Sequence, residues 1–161
     1  MPDIVDSATR SRMMAGIRSK DTKPELQVRK ALHALGFRYR LHDRRLPGHP
    51  DLVLPRYRVA IFVHGCFWHR HEGCFHASTP ATRADFWAAK FEKNVQRDRQ
   101  SRQALKEAGW RVLVVWECGL KHAPGETLQA LAAAIPDPKV AFADFPASPP
   151  RRQESFSDCS R

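Results

Sequence analysis

The sequence predicts an α/β (α+β) protein, a mixed central sheet flanked by helices. Three short segments rich in β-branched and aromatic residues, Phe37 to Leu41, Asp51 to Leu54 and Arg58 to Val63, are separated by turns bearing Pro and Gly. They read as an antiparallel meander. A long, charged, helix-favouring stretch from Thr82 to Ala108 follows, and Gly109 separates it from the apolar run Trp110 to Trp116. A strand reached through a long helix usually lies parallel to an earlier one, which makes the sheet mixed.

Each element has a local reason. Ala8 to Ile17 reads as a short helix with a basic face (Arg10, Arg12, Arg18) and the flexible pair Met13 and Met14. Thr22-Lys-Pro-Glu25 has the capping-box form, so a helix should follow, with Leu26, Ala31, Leu32 and Leu35 near helical spacing, Arg29 and Lys30 facing water and Gly36 as its stop. On the long helix, Phe86, Phe91 and Leu105 are the expected core contacts. Glu126 to Ile135 reads as a last helix. Residues 136–161, punctuated by Pro136, Pro138, Pro146, Pro149 and Pro150, read as a mobile tail, which leaves residues 1–135 as a single domain without internal repeats.

The chain has 161 residues, room for one hydrophobic core, and 42% of them are hydrophobic. Twenty-seven Lys and Arg against 17 Asp and Glu leave a formal net charge of +10, which favours a polyanionic partner, nucleic acid first. A basic solvated surface is the plainer alternative. The longest apolar runs fall far short of the roughly 20 residues that span a bilayer. Without a secretory start at the amino terminus, the expected location is the cytoplasm, with no membrane partner.

Metal ligands are unusually dense between Asp51 and Cys74, and Cys118 returns much later, after a second apolar strand. Cys66-x4-His71-x2-Cys74, with Cys118 just past the second apolar strand, offers three thiolates and one imidazole, the soft tetrahedral set of a closed structural zinc site. Burial of the cysteines as small hydrophobes is the plainer reading. Cys159 is the odd one out. Four protein ligands leave no open position, so this zinc should brace structure and not activate water.

His64 and His69 are then spare, and Asp51 stands on a Pro-Asp step one strand away. If the segments beginning at Asp51 and Arg58 pair as a hairpin, Asp51 lies across from Val63 and His64. A hard cation such as magnesium could then bridge that carboxylate, a backbone carbonyl, waters and a phosphate oxygen, with His69 and His64 as candidates for base and phosphate contact. Asp51 as a simple turn former is the alternative.

Several ordered motifs, Ala8-Thr-Arg-Ser11, Met14, Glu25, Leu46-Pro-Gly-His-Pro-Asp51, His64-Gly-Cys-Phe-Trp-His69, Phe86-Trp-x-x-Lys90, Lys93-Asn94, Arg97-Asp98 and Gly109 to Cys118, closely resemble the very short patch repair endonucleases. The likeness runs from about Ser7 to Cys118. It implies a restriction-endonuclease-like fold and an enzyme that nicks duplex DNA 5′ of the thymine in a T·G mismatch left by deamination of 5-methylcytosine. Under it, Asp51 and the Val63 carbonyl would hold magnesium, His69 would activate water, and His64, supported by Asp98, would assist at the phosphate. Glu25 would hold metal-bound waters, in competition with its capping-box role. The zinc ligands map onto Cys66, His71, Cys74 and Cys118, although two residues, Glu72 and Gly73, stand where many members have one.

The same resemblance sends Phe67, Trp68 and Trp87 into the DNA stack beside the mismatch, brings Met14 in from the opposite groove, with residues 1–22 as a DNA-contacting segment, and places Lys90 near the mispair. Core packing is an equal alternative for Trp87, and a solvated side chain for Lys90. It implies a monomer linked functionally to a cytosine-5 DNA methyltransferase and to mismatch-repair proteins. The generic nuclease pattern of an acid followed by x-Lys on the strand after Asp51 is absent: Phe62-Val63-His64 stands there. A non-catalytic zinc module binding distorted DNA is the rival from another class, and a zinc hydrolase the third reading.

Overall fold

A computed structural model describes residues 6, 8, 9, 11, 12 and 20–149. Met14, Cys159 and most of the expected first helix lie outside them. The described elements are α1 (Lys23–Ala34), β1 (Arg40–Leu41), β2 (Leu52–Leu54), a 3-10 turn (Pro55–Tyr57), β3 (Val59–His64), α2 (Ala84–Glu107), β4 (Arg111–Trp116), α3 (Glu117–His122), α4 (Pro124–Ala134) and β5 (Phe142–Phe145). The sheet order is β1-β2-β3-β4-β5; β1, β2 and β3 form the antiparallel meander, and β3, β4 and β5 run parallel.

β3 and β4 are apolar almost throughout because both faces of the sheet are covered. Alternation sorts their side chains. Val59 and Ile61 of β3, with Leu113 and Val115 of β4, join Val28 and Leu32 of α1 and Leu131 of α4 in one core. Ala60 and Phe62, with Val112, Val114 and Trp116, pack on Leu105 of α2 and on the cysteines. Full burial of one such aliphatic side chain contributes about 1.5–3 kcal/mol.

α1 departs from expectation in which face it buries. Leu26 and Leu35 are exposed, Val28 is buried, and Arg29 is drawn inward to an ion pair with Glu25. On α2, Phe91 and Leu105 are core residues as expected, whereas Phe86 is exposed and its neighbour Trp87 is buried. Helical phase explains the exchange: Trp87, Phe91 and Leu105 share the buried stripe, and Phe86 lies one residue off it.

Part of the segment expected as a tail from Pro136 belongs to the sheet. Residues 142–145 form β5, paired in parallel with β4 through Val112↔Phe142 to Val115↔Phe145, and Phe145 is buried. Arg111 anchors the intervening segment. Its guanidinium donates to the carbonyls of Ile135 (2.7 Å), Ala134 (2.7 Å), Asp137 (2.6 Å) and Val140 (2.9 Å). One side chain thus satisfies the carboxyl end of α4 and holds the Pro-rich segment along the sheet edge.

Candidate active site and metal centre

Parallel pairing of β3 with β4 builds a cluster that could hold a metal. His64 pairs with Trp116, so Cys66 and Cys118 each leave the sheet two residues beyond paired positions, on the same edge. A compact loop brings the other ligands back: the His69 N–H donates to the Gly65 carbonyl (3.1 Å), His71 to Cys66 (3.1 Å) and Cys74 to His71 (3.2 Å). Gly73, at φ +73°, accommodates the additional residue between His71 and Cys74 in a backbone state that favours glycine.

The ligand atoms of Cys66, His71, Cys74 and Cys118 lie within 4.8 Å of one another, and all four residues are buried. His71 Nδ1 sits 3.7 Å from Cys66 Sγ and 3.3 Å from Cys118 Sγ. Bonds of about 2.3 Å to sulfur and 2.0–2.1 Å to nitrogen put tetrahedral ligands about 3.5–3.8 Å apart, so the set fits a zinc-sized ion. Burial pushes the Cys66 thiol up to about 11 and raises Cys118 further, each with a neighbouring cysteine adding to the effect. Burial lowers His71, favouring its neutral, ligating form. Three thiols so placed can ionise together only around a cation.

β5 reaches this centre. Asp144 Oδ1 accepts the indole N–H of Trp116 (2.9 Å), and the Trp116 ring lies flat against His71, centroids 4.2 Å apart and planes 6° apart. Asp144 thereby fixes the platform on which a ligand imidazole rests. Replacing Asp144 with Ala is expected to speed loss of bound metal to a chelator by roughly 10–100-fold, the usual cost of removing an outer support. Release kinetics followed with a chromogenic chelator check this.

The second cluster lies at the carboxyl end of β3. Asp51, immediately before β2, accepts the Val63 N–H at 2.7 Å through Oδ2. Its carboxyl is pushed up to about 6, first by burial and then by the negative charge of Glu25, against the opposing Val63 hydrogen bond and the positive influence of His42 and His69. His64 is buried and held well below the ordinary histidine range, chiefly by burial with His69 adding. The His64 and His69 rings stack face to face, 3.8 Å between centroids and 3° between planes.

Asp98 bonds His69, with Nδ1 and Oδ2 2.7 Å apart. This corrects the expected support of His64 by Asp98. The two rings stack, and α2 offers its carboxylate to the one on the loop. One turn earlier on α2, Asn94 Nδ2 donates to the Trp68 carbonyl (3.1 Å), so the helix grips the loop at two points. His64, His69, Asp98, Arg97, Arg99 and Arg102 line part of a 510 Å³ cavity.

Glu25 resolves its two expected roles. Its backbone N–H takes the Thr22 cap (3.4 Å), while the buried carboxylate turns away, to the Arg29 guanidinium and to His42 Nε2 at 3.0 Å. Arg29 also pairs with Asp21 at 2.7 Å. Arg29 was expected only to face water, and His42 was not a candidate at all. The i,i+4 spacing of Glu25 and Arg29 was a usable signal. His42 carried none: a left-handed residue at φ +48°, it reaches Glu25 only because its N–H is tied to the Asp51 carbonyl at 3.2 Å.

Phe67 and Trp68 project from the loop, half-buried, over a floor of Trp87 and Phe91. Trp87 takes the packing role in the free protein, since only 7% of it is exposed. Lys90 Nζ stands 5.3 Å from the Trp68 ring centre, and Arg70 stacks over Phe91 at 4.0 Å while donating to the carbonyls of Ala77 and Ser78.

Residues 2–75 match the family model described as DNA mismatch endonuclease Vsr. The chain is 46% identical over 135 residues to DNA mismatch endonuclease Vsr of Escherichia coli (strain K12), covering 84% of this chain and 86% of that protein. It is 48% identical over 120 residues to the Type II nicking enzyme V.XorIIP of Xanthomonas oryzae pv. oryzae (strain KACC10331 / KXO85), covering 74% and 88%. The Type II nicking enzyme V.NmeAIP of Neisseria meningitidis (serogroup A / serotype 4A, strain DSM 15465 / Z2491) is 47% identical over 122 residues, covering 76% and 86%. With its cysteine–histidine centre, its Asp51 and paired histidines, and this likeness over most of its length, the chain belongs to the Vsr family of DNA mismatch endonucleases.

Proposed function

We propose that this DNA endonuclease nicks one strand of duplex DNA on the 5′ side of the thymine in a T·G mispair, leaving 3′-hydroxyl and 5′-phosphate ends and so starting repair of deaminated 5-methylcytosine. The observation that carries the chemistry is the Asp98–His69 contact. With Nδ1–H donated to the Asp98 carboxylate, the lone pair of His69 lies on Nε2, free to take a proton from an attacking water. Asp98 then stabilises the imidazolium and holds the ring in place.

His64 acts differently. Burial keeps it neutral and the stacked His69 discourages a second charge, so it serves the phosphate as a hydrogen-bonding imidazole and not as a cation. Asp51 and the Val63 carbonyl would hold magnesium, with Glu25 on its water shell; the hard oxygen donors and the mutual repulsion of Asp51 and Glu25 suit a divalent cation. Magnesium when bound supplies charge neutralisation at the phosphate and acidifies coordinated water. Zinc in the cysteine–histidine site braces the loop that carries His69.

Phe67 and Trp68 act as the wedge. Their rings are already outside the core, and unstacking costs least at a mispair, where only a few kcal/mol are needed. Lys90 beside them suits the phosphate backbone. We assign work in the cytoplasm, as a monomer, downstream of a cytosine-5 methyltransferase; among the described residues no helix is long and apolar enough to cross a membrane.

End-labelled duplexes carrying each mispair in several flanking contexts, incubated with and without magnesium, test the reading. A single nick 5′ of the mispaired thymine, only with magnesium, is expected; tight binding with no cutting would leave a binding module, and turnover lost on stripping zinc alone with zinc-loop folding intact would favour a zinc hydrolase. Asp98→Asn is expected to lower the nicking rate by roughly 10²–10⁴-fold, the contribution of a positioned general base, with mismatch affinity unchanged. Single-turnover rates and gel-shift titration separate the two quantities.

A further inference from the structure

We infer that His42 is a positioning residue of the magnesium site, holding the Asp51 and Glu25 carboxylates in mutual register, with Arg29 as its partner on Glu25. The inference rests on the reading that these two carboxylates serve magnesium. His42 follows β1 and Asp51 precedes β2; because Leu41 pairs with Leu52, His42 falls opposite Asp51, and its N–H donates to the Asp51 carbonyl at 3.2 Å. From that anchored backbone, at φ +48°, the ring reaches α1, where Nε2 stands 3.0 Å from Oε1 of the buried Glu25. One residue therefore touches both acids, Asp51 by its main chain and Glu25 by its side chain.

Hydrogen accounting fixes the direction of these bonds. Arg29 Nη2 carries two hydrogens, and the carboxylates of Asp21 (2.7 Å) and Glu25 take them. His42 Nε2, 2.9 Å from the same Nη2, then has no hydrogen to accept and donates its own to Glu25. Both donors converge on Oε1, and none of the described residues bonds Oε2, which is left for a water of the cation's shell. Asp51 likewise spends Oδ2 on the Val63 N–H and keeps Oδ1. Magnesium demands near-octahedral placement of its ligands and waters, so a carboxylate free to swing would serve it poorly. After burial and the Val63 hydrogen bond, Glu25 and His42 are the strongest influences on the Asp51 carboxyl, which puts all three in one electrostatic neighbourhood.

The test uses the full-length, zinc-loaded protein and two variants. His42→Asn suits a left-handed backbone but is too short to reach Glu25, whereas the amide N–H of His42→Gln can take the place of the ring Nε2–H. Magnesium chloride is titrated by calorimetry into each protein bound to a nicked T·G duplex, and single-turnover nicking of the intact duplex is followed across the same concentrations. His42→Asn is expected to raise both the dissociation constant and the half-maximal concentration of magnesium by roughly 10–100-fold, the usual effect of losing an outer support. Its DNA affinity without magnesium should match the parent. His42→Gln should recover most of the loss. In a Glu25→Ala background His42→Asn should add little further loss, because the two residues act through one contact. An unchanged magnesium requirement, a loss that His42→Gln does not recover, or additive losses with Glu25→Ala would each overturn the assignment while leaving the nicking activity in place. A parent that neither nicks the duplex nor takes up magnesium would overturn both.

Discussion

Asp51→Asn is expected to abolish magnesium-dependent nicking and, at the same time, to make the magnesium-free protein more stable at pH 8. The carboxyl of Asp51 is raised from 3.8 to about 6, so its charged form is less favourable in the folded chain than in the unfolded one. The sign follows from linkage. Below about pH 4 the group is protonated in both states and costs nothing; as pH rises through about 6 the folded protein comes to carry a poorly solvated charge. A shift of about two pH units corresponds to at most about 3 kcal/mol.

Asparagine keeps an oxygen that can accept the Val63 N–H but never ionises, so its advantage should be full above pH 6 and vanish by about pH 4. Urea unfolding at pH 8, 6 and 4 measures it, and a variant less stable than the parent at pH 8 would contradict the electrostatic account. Added magnesium should reverse the order, because only the parent gains binding energy. For the same reason the nicking rate of the parent at limiting magnesium should fall as the medium is acidified towards about pH 6, where the metal-free Asp51 gains its proton, and saturating magnesium should move that fall to lower pH.

The second large effect is Cys118→Ser. Cys118 is fully buried and is the one ligand contributed from beyond β4, so its loss unties the loop from the sheet. Zinc content should drop well below one equivalent, and stability by roughly 3–5 kcal/mol, comparable to removing a structural cross-link from a small domain. For a chain of this size that lowers Tm by about 10 °C. Nicking should fall with zinc content, since His69 lies between Cys66 and His71 on the same loop. A zinc-replete Cys118→Ser variant with unchanged Tm would remove Cys118 from the ligand set.

Much of this was legible in the residues because the signals are local or periodic. Cys66, His71 and Cys74 declare themselves by spacing, and Asp51 meets Val63 because a short hairpin leaves little choice of register. The β3–α2–β4 crossover needed only a long helix between two apolar runs. Harder to read were contacts set by rotation about a helix axis. One residue of phase on α2 exchanges Phe86 for Trp87 in the core, and the same phase decides that Asp98 meets His69.

By itself the amino-acid order determined the sheet-and-helix class, the thiolate and imidazole set, and the family likeness, since each rests on residue type at short or regular spacing. Tertiary structure decided the partners of charged groups: Arg29 and His42 on Glu25, Asp98 on His69, Asp144 beneath the ligand platform, and Arg111 drawing a Pro-rich segment into β5. The physical reason is common to all four. A buried charge or orphan carbonyl must find a partner wherever the fold brings one, and chain distance carries no information about where that will be.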